Sequence, residues 1–344
     1  MKRALTILRF LTEAAARGER TVLVTLTDVI GSSSRSPGTH MAVSETGAFA
    51  GSLSGGCIEA AVVAEAQAVL VRGKAELVRF GVGSRYIDIR LPCGGGIDLL
   101  FTPDPSPEVL REAASLLEAR QPVLLIVHLD GGVSVGPVDE DGWSGQHFVA
   151  AHLPDPRLLV VGHGSESRSL VQLASVYAAE VELLSPDAAM VEEMRLAGIE
   201  ARVLPMPGAT SLLNADAFSA VVFLFHDHDW EPELMSRALE TPAFFVGAMG
   251  SRSTAARRRE LLVAEGVAHR DADRVVGPIG LIPATRDPDT LALSILAQVA
   301  ASWGGDRQSN RTTQDARLRV VPANAAFGRQ AKLPIKIKPN ERTS

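Results

Sequence analysis

Cysteine is almost absent from this chain of 344 residues, which contains only two. So few thiols in so long a chain exclude a disulfide framework and indicate a reducing compartment, so we expect a cytoplasmic protein. Long apolar runs are missing as well: Arg9 and Glu13 interrupt the apolar positions of the opening segment, and no other stretch stays apolar for about 18 residues. The sequence therefore predicts neither a signal peptide nor a membrane span.

Basic tracts are absent before the extreme C-terminus, and the formal net charge is -6 at pH 7. Such a surface is poorly suited to neutralising a phosphate backbone, so nucleic acid is not expected as a partner. Apolar residues make up 46% of the chain. With a typical length of about 150 residues per domain, the chain is long enough for two domains with separate cores.

The apolar pattern predicts an α/β chain with an N-terminal α/β (α+β) unit over 1–150, a second unit built on a parallel sheet over 156–305, and a polar tail over 306–344. The tail is expected to be disordered because it is polar and basic. In the first unit we predict an opening helix, the strand TVLVTLTDVI, a hairpin turning at 45–47, a helix from Ser54 to about Val71, the strands KAELVRFG and GGIDLLFTP, a helix over 107–119 and the strand PVLLIVHL.

The second unit opens with RLLVVGHGSESRSLVQLASVYAAEVELLSPD, which predicts a strand, a glycine turn, a helix and a strand, as in a doubly wound sheet. Gly162 and Gly164 fit the first two positions of a dinucleotide fingerprint, where the backbone approaches a pyrophosphate at a helix N-terminus. The third position is Ser167, and Ser185 and Pro186 stand where a ribose-binding acid is expected. Two alternatives follow: a site for NAD or FAD, or a tight turn without a ligand.

The string GSLSGGCIEA carries a sharper signal. With Ser54 as the helix cap, Cys57 falls in the first helical turn, where unpaired amides and the macrodipole stabilise a thiolate. A thiolate is a nucleophile and a soft-metal ligand, and Gly55 and Gly56 leave it open to a large planar ligand or a partner. The alternative is a buried structural cysteine.

The second thiol, Cys93, stands at a bend in PCGGG, where the amides of Gly94 and Gly95 are exposed to a ligand. A packing role is again the alternative. Neither thiol is surrounded by paired Cys or His residues, so a structural zinc site is not expected.

Three strings follow one another in the first unit: GSSSRSPGTHMAV, GSLSGGCIEAAV and LPCGGGIDLLF. In these strings the chain resembles the XdhC/CoxI family, the maturation factors of molybdenum hydroxylases such as xanthine dehydrogenase and carbon monoxide dehydrogenase. The second unit resembles the Rossmann-like domain of that family through LLVVGHG, HDHDWEPEL, FFVGAMGSRSTAARRRELL, GPIGL and DPDTLALSILAQV. Together these strings cover most of residues 5–303.

The resemblance implies a chaperone for the molybdenum cofactor, molybdopterin, rather than an enzyme with its own turnover. It implies that the protein binds and protects the cofactor, supports exchange of a terminal oxygen for sulfur by a cysteine desulfurase, and delivers the cofactor to a molybdenum hydroxylase client. A homodimer is expected only because two-fold assemblies are the commonest.

The chemistry of such a cofactor suits the residues singled out above. A molybdenum centre with dithiolene and sulfido ligands is soft enough for thiolate contact, and the pterin ends in a phosphate that calls for amides or arginine. We therefore assign cofactor contact to Cys57, with Cys93 as a second thiol, and we assign the phosphate to Arg35, for which an exposed solubilising role is the alternative. Arg252, after GAMGS, is a comparable anion-site candidate, whereas 257–259 is interpreted as a solvated helix face. The remaining cofactor-binding candidates are Ser54, Gly55, Gly56, Gly94, Gly95, Gly162 and Gly164.

The run HDHD follows the apolar strand AVVFLF, at the strand end where open α/β sheets bind ligands. His226 and Asp227 are candidate ligands of a divalent metal, and a hydrogen-bonded polar loop is the alternative. Besides the chaperone, the sequence thus leaves open an NAD(P)-dependent oxidoreductase and a metal-dependent hydrolase. A cytidylyltransferase is disfavoured, because no glycine-rich nucleotidyltransferase loop stands near the N-terminus.

The second unit departs from the family pattern in several places. His163 separates the two glycines, and Ser165 and Glu166 follow where a His is usual. Residues 282–284 replace an acid and a glycine after PIGL, and Gln298 replaces a Glu. These departures put a nucleotide site in the second unit in doubt, whereas the first unit keeps the family strings.

Overall fold

The computed structural model describes residues 3–84, 94–136, 141–177 and 180–310. Two α/β units follow one another along the chain. The first contains α1 (Arg3–Ala16), β1 (Thr21–Ile30), β2 (His40–Ser44), β3 (Phe49–Gly51), α2 (Glu59–Arg72), β4 (Glu76–Gly81), β5 (Gly96–Pro103), α3 (Pro107–Glu118), β6 (Val123–His128), β7 (Val133–Val135), β8 (Gly142–Ser144) and β9 (His147–His152).

The core of the first unit is a five-stranded antiparallel sheet with the order β3-β2-β1-β5-β4. The central strand β1 alternates its side chains between two apolar layers, as the two-residue period of a strand requires. Val22 and Val24 pack with α2 on one face, whereas Leu23 packs with α1 and α3 on the other. The predicted hairpin at 45–47 is confirmed between β2 and β3.

A second antiparallel sheet, with the order β7-β6-β9-β8, completes the first unit. Sequence analysis predicted only its strand β6. Val123, Leu125 and Val127 of that strand join the core formed by α1 and α3. β7 and β8 have three residues each, which is too short for an alternating pattern to stand out.

The second unit is a six-stranded parallel sheet with the order β12-β11-β10-β13-β14-β15. This is the order 3-2-1-4-5-6 of a doubly wound fold, and it confirms the predicted Rossmann-like parallel sheet. Its elements are β10 (Arg157–Gly162), α4 (Gly164–Tyr177), β11 (Glu180–Ser185), α5 (Ala188–Leu196), β12 (Glu200–Val203), β13 (Ser219–Leu224), α6 (Glu231–Glu240), β14 (Phe245–Ala248), α7 (Arg252–Ala264), α8 (His269–Ala272), β15 (Val275–Val276), α9 (Pro288–Asn310) and two short 3-10 turns (Thr210–Leu212 and His228–Trp230).

Helices cover both faces of this sheet. Leu158 and Val160 of β10 face α4, α5 and α9, whereas Leu159 and Val161 face α6 and α7. The strand order reverses between β10 and β13, so the carboxyl ends of these two strands flank the crevice where doubly wound sheets bind ligands.

Arg120 joins the two units. It follows α3 in a left-handed conformation, with a φ of 57°, and its side chain is 13% exposed. Its guanidinium pairs with Asp216, lies 3.0 Å from a carboxylate oxygen of Glu180, and donates to the backbone carbonyls of Asp155 and Phe218. Because all four partners flank or belong to the parallel sheet, this one side chain ties the first unit to the second.

Two helix boundaries differ from the predictions. α2 begins at Glu59 and not at Ser54, so Cys57 precedes the helix. α9 continues to Asn310, into the segment over 306–344 that was predicted to be a polar tail, of which 311–344 lie outside the described residues. In the ranges that the structure describes, every helix is too short or too polar to cross a membrane.

Candidate functional site

Three strings that are far apart in the sequence lie side by side at one end of the first unit. The close approach of Gly95 to the segment after β1 requires glycine, because a Cβ at Gly95 would lie 2.6 Å from the carbonyl oxygen of Ile30. The same segment leads to Arg35, whose Nε donates to the carbonyl of Ser52 at 3.2 Å. The predicted candidates Arg35, Ser54–Cys57 and Gly94–Gly95 therefore belong to neighbouring loops, whereas Cys93 lies outside the described residues.

Cys57 lies in the segment 52–58, which we call the cysteine loop. Its side chain is exposed, so the alternative of a buried structural cysteine is wrong. The predicted position in the first turn of a helix is also wrong, because α2 begins two residues later. The thiol is thus accessible to solvent, but a loop presents it, and not a helix terminus.

The backbone N–H groups of 53–58 in the cysteine loop are all hydrogen-bonded within the chain. The N–H groups of 53, 54 and 56 donate to the carboxylate of Glu59, that of Gly55 donates to the hydroxyl of Ser52, and those of 57 and 58 donate to the hydroxyl of Ser54. The sequence suggested that free amides here would stabilise a thiolate or receive a ligand. In the structure the N–H groups of 53–58 already donate hydrogen bonds within the chain, so a ligand at this loop binds through side chains and not through these amides.

The left-handed conformations of Gly55 and Gly56 let the loop turn around that carboxylate, with φ values of 80° and 115°. A Cβ at Gly56 would have no neighbour within 4 Å. Among the described residues, the space next to Gly56 is therefore open.

Arg35 supplies a positive charge beside the cysteine loop. The side chain is half-buried, and its hydrogen-bond acceptors are the backbone carbonyls of Ser52 and Ser34. Neither acceptor carries a formal charge, so these bonds orient the guanidinium without neutralising it. In the part of the chain that the structure describes, no carboxylate pairs with this side chain, and such an oriented guanidinium is well suited to binding phosphate or carboxylate.

The glycine turn of the second unit serves packing. A Cβ at Gly162 would collide with the backbone of Leu224 on β13 and lie 2.8 Å from the hydroxyl of Ser167. Gly164 begins α4 with a φ of 84°. The absence of a side chain at Gly162 thus allows strand and helix to approach each other, which a tight turn requires with or without a ligand.

A carboxylate of the chain occupies the region where a pyrophosphate is expected. Glu166 lies in the first turn of α4, and its Oε1 is 3.5 Å from Nε2 of His226, which follows β13. Burial raises the pKa of Glu166, but hydrogen bonds from its own N–H and the Ser165 hydroxyl, with the nearby His226, bring it below its usual value. An ionised Glu166 repels an anionic ligand from this helix N-terminus.

The HDHD run forms a short capped turn. Asp227 accepts a hydrogen bond from the N–H of Asp229, and Nδ1 of His228 lies 3.1 Å from Oε2 of Glu231. Within the described ranges, no group of three or more His, Cys, Asp or Glu side chains is arranged to hold a metal ion. His226 and Asp227 therefore lack a third protein ligand there, and their assignment to a metal stays a prediction.

Arg252 is the first residue of α7, and its exposed side chain lines a groove of about 270 Å³ between α7 and residues 272–277. The interpretation of 257–259 as a solvated face is wrong for Arg258, which is 6% exposed. Arg258 forms a buried ion pair with Glu231 and also donates to the carbonyl of Met249. It thereby links α7 to the HDHD turn through Glu231.

Sequence analysis missed two carboxylates that organise these regions, Glu59 and Glu231. For Glu59, the residues that precede it carried a usable signal. Serines and glycines before α2 offer many N–H and hydroxyl donors, and a single acid follows them immediately before an apolar helix. Such a surplus of donors beside one carboxylate favours a buried anion at that position.

Comparisons with known proteins cover both units. A family model described as the XdhC and CoxI family matches residues 14–81, and one described as the XdhC Rossmann domain matches residues 158–299. The molybdenum cofactor insertion chaperone PaoD of Escherichia coli (strain K12) is 33% identical over 298 residues, which are 86% of this chain and 87% of PaoD. The uncharacterized protein YqeB of the same strain is 26% identical over 204 residues, which are 56% of this chain and 36% of YqeB.

Among solved structures, a crystal structure described as a xanthine dehydrogenase from Bacillus halodurans superposes with a TM-score of 0.72 and 22% identity. The match covers 89% of this chain and 97% of that protein. At this level of identity the likeness shows a shared fold.

Proposed function

The chain belongs to the XdhC and CoxI family, and from this premise we propose that it is a maturation chaperone that binds the molybdenum cofactor and inserts it into a molybdenum hydroxylase. The similarity to PaoD supports this role because it extends over most of both chains. The observation that carries the proposal is the exposed thiol of Cys57 in a loop whose neighbour is the uncompensated guanidinium of Arg35.

The cofactor is the cargo of this protein, and its two ends differ in chemistry. The molybdenum with its sulfur ligands is soft and suits a thiol, whereas the terminal phosphate suits a guanidinium. Cys57 would contact the metal end and Arg35 the phosphate. The cysteine-loop amides donate within the chain, so they contribute the shape of the site and not bonds to the cargo.

The exposed position of Cys57 also leaves room for partners. We propose that the bound cofactor is presented to a cysteine desulfurase, which exchanges a terminal oxygen for sulfur, and then to a client of the xanthine dehydrogenase type. Both steps require that a second protein approach the cargo, and the open space around Gly56 permits such an approach.

Retention of the cofactor by purified variants tests the proposal. The protein is produced in cells that make the cofactor, and bound molybdenum and pterin are measured after denaturation. We expect Cys57→Ala to lose most of the bound cofactor and Arg35→Ala to weaken retention. The exposed residue Val71 on α2 provides a control, because Val71→Ala changes the surface without touching the loop.

Full retention by Cys57→Ala, with Val71→Ala unchanged, would remove this residue from the site. Loss of retention in both variants alike would show instead that the assay reports folding. A client hydroxylase activated by the wild-type protein but not by Cys57→Ala would extend the result from binding to insertion.

A further inference from the structure

The carboxylate of Glu59 lies at the centre of the cysteine loop. Glu59 is the first residue of α2 and is 7% exposed. Each of its oxygens accepts three hydrogen bonds from residues that precede it in the chain. The donors to Oε1 are the Ser52 hydroxyl (2.7 Å) and the N–H groups of Leu53 (3.1 Å) and Ser54 (2.9 Å), and those to Oε2 are the Ser54 hydroxyl (2.8 Å) and the N–H groups of Gly56 (2.9 Å) and Ile58 (3.2 Å).

Ser54 extends this arrangement to the thiol residue. Because its hydroxyl hydrogen is donated to Glu59, its oxygen is left to accept the N–H of Cys57 at 3.1 Å. The hydroxyl of Ser52 likewise donates to Glu59 and accepts the N–H of Gly55 at 2.9 Å. Every backbone N–H from 53 to 58 therefore ends on Glu59, either directly or through one serine hydroxyl.

The carboxylate has to be ionised for this arrangement, because a protonated acid would bring a further donor to a site already full of donors. Burial raises the pKa of Glu59, but hydrogen bonds from the N–H of Ser54 and from the hydroxyls of Ser52 and Ser54 bring it to about 2. The anion is therefore present at every pH at which the protein is expected to work.

A helix-capping role does not account for this geometry. A carboxylate near a helix N-terminus ordinarily accepts from amides of the first turn of its own helix. The six donors to Glu59 all precede α2 and belong to the cysteine loop. The side chain thus serves the loop more than the helix.

We propose that Glu59 is the positioning residue of the cofactor site, holding residues 52–58 in the one conformation that presents the thiol of Cys57 beside Arg35. Arg35 is part of the same arrangement, since its Nε donates to the carbonyl of Ser52, whose hydroxyl is bonded to Glu59. The role in cofactor binding rests on the function proposed above. The role in loop conformation is independent of it and can be measured on protein without cofactor.

Glu59→Gln is the decisive variant, because glutamine keeps the size of the side chain but replaces one acceptor oxygen by an NH₂ group. That group faces three donors, so half of the hydrogen bonds are lost. The matched control is Glu65→Gln, which removes another buried carboxylate of α2, paired with Arg72, without touching the loop. Glu59→Asp keeps the charge on a shorter side chain and serves as the conservative replacement.

Two measurements are made on each variant: amide hydrogen exchange of 53–58 in protein without cofactor, and retention of the molybdenum cofactor as above. Hydrogen bonds to a charged group protect the amides that donate them, so we expect exchange in Glu59→Gln to rise by roughly tenfold or more. We expect its cofactor retention to fall to that of Cys57→Ala. Glu59→Asp should be intermediate in both measurements, and Glu65→Gln should match the wild type.

Slow exchange of 53–58 in Glu59→Gln would overturn the positioning role, and fast exchange with full retention would overturn its importance for the cofactor. If Cys57→Ala itself retains the cofactor, the proposed function of the thiol fails, while the exchange rates still decide the role of Glu59. Should Glu59→Gln not fold, Ser54→Ala removes the hydroxyl that connects the N–H groups of Cys57 and Ile58 to Glu59. Faster exchange of these two amides together with reduced cofactor retention is then expected, and unchanged exchange and retention would overturn the positioning role.

Discussion

His40 and His152 lie with their Nε2 atoms 2.9 Å apart. His40 is on β2 and His152 is at the end of β9, so the pair joins the two sheets of the first unit. Nδ1 of His40 also lies 3.0 Å from the hydroxyl of Thr25. Burial, together with the neighbouring His152, lowers the pKa of His40 well below its usual value, and burial lowers the pKa of His152 to about 4.

The first prediction is a loss of stability in mild acid. Between about pH 6.5 and pH 4, the unfolded chain takes up protons on these imidazoles that the folded pair does not accept, so the free energy of unfolding falls as the pH falls. Each group contributes on the order of 1 kcal/mol per pH unit in this window, and nothing above it. Urea denaturation at pH 7, 6 and 5 measures the slope.

His152→Gln should reduce that slope, because one of the two groups is gone. His269 is exposed on α8 and provides the control, since His269→Gln should leave the slope as in the wild type. An equal slope in all three proteins would assign the acid sensitivity to other groups.

The second prediction concerns the buried ion pair of Arg258 and Glu231. Arg258→Met removes the buried guanidinium partner of Glu231 and leaves the buried carboxylate with only its contact to Nδ1 of His228, which costs about 3–5 kcal/mol of unfolding free energy. Combining it with Glu231→Gln should recover part of this loss, because the stranded charge is removed. Arg259, whose partner Asp273 is exposed, supplies the control, and Arg259→Met should change the denaturation midpoint very little. Similar losses of unfolding free energy in Arg258→Met and Arg259→Met would contradict the special role of the buried ion pair.

The third prediction is that Arg120 couples the unfolding of the two units. Arg120→Met removes the ion pair with Asp216 and two hydrogen bonds to backbone carbonyls, which costs about 2 kcal/mol or more. Calorimetry should then show the single transition broadening or separating into two. Arg111→Met, which breaks an exposed pair with Glu108, should leave the transition unchanged. A lower transition temperature of Arg120→Met without any change in the shape of the transition would mean that the ion pair adds stability but does not couple the units.

The fourth prediction distinguishes the two glycines of the β10 turn. Gly162→Ala forces a Cβ into the backbone of β13 and should destabilise by about 1–3 kcal/mol, as overpacking does. Gly164→Ala meets no close atom and is penalised only by its positive φ, at about 1–2 kcal/mol. Denaturant midpoints compare the two. A larger effect at Gly164 would show that conformation, and not packing, limits this turn.

The fifth prediction is that NADH does not raise the melting temperature. Glu166 places a negative charge at the N-terminus of α4, where a pyrophosphate would otherwise bind, so ligand-dependent stabilisation should be absent. In Glu166→Ala this terminus is free, and a weak stabilisation by ADP should appear. A melting temperature of the wild-type protein that rises with the NADH concentration would contradict this prediction. It would show a nucleotide site despite the departures from the family pattern.

The elements that the sequence predicted well are those in which a local pattern decides the outcome. The strand TVLVTLTDVI and the strand, turn and helix around Gly162 both follow from local composition and periodicity, and both are confirmed. The family strings located the cysteine loop because they mark it directly. The close approach of Gly162 to β13 depends on the position of a distant strand, which the local pattern does not show.

What the sequence missed depends on contacts between distant or ambiguous positions. His40 and His152 are 112 residues apart, and nothing near either residue indicates the other. Three consecutive arginines necessarily point in different directions around α7, so their composition alone does not reveal which one is buried. Serine is a common helix cap, so the sequence predicts a helix start at Ser54. In the structure its hydroxyl does accept from the N–H groups of Cys57 and Ile58, but the loop donors bind the carboxylate of Glu59 and α2 begins only at that residue.

The hydrogen bonds within the cysteine loop also affect how a bound ligand is released. A pocket that grips a ligand with bare amides is left with unsatisfied donors when the ligand departs, and this resists departure. Here the amides from 53 to 58 all have partners within the chain, so the departure of a ligand leaves none of them unsatisfied. A carrier with such a loop releases its ligand by breaking only a few side-chain contacts. Transfer of the ligand to the next protein is therefore as easy as its binding.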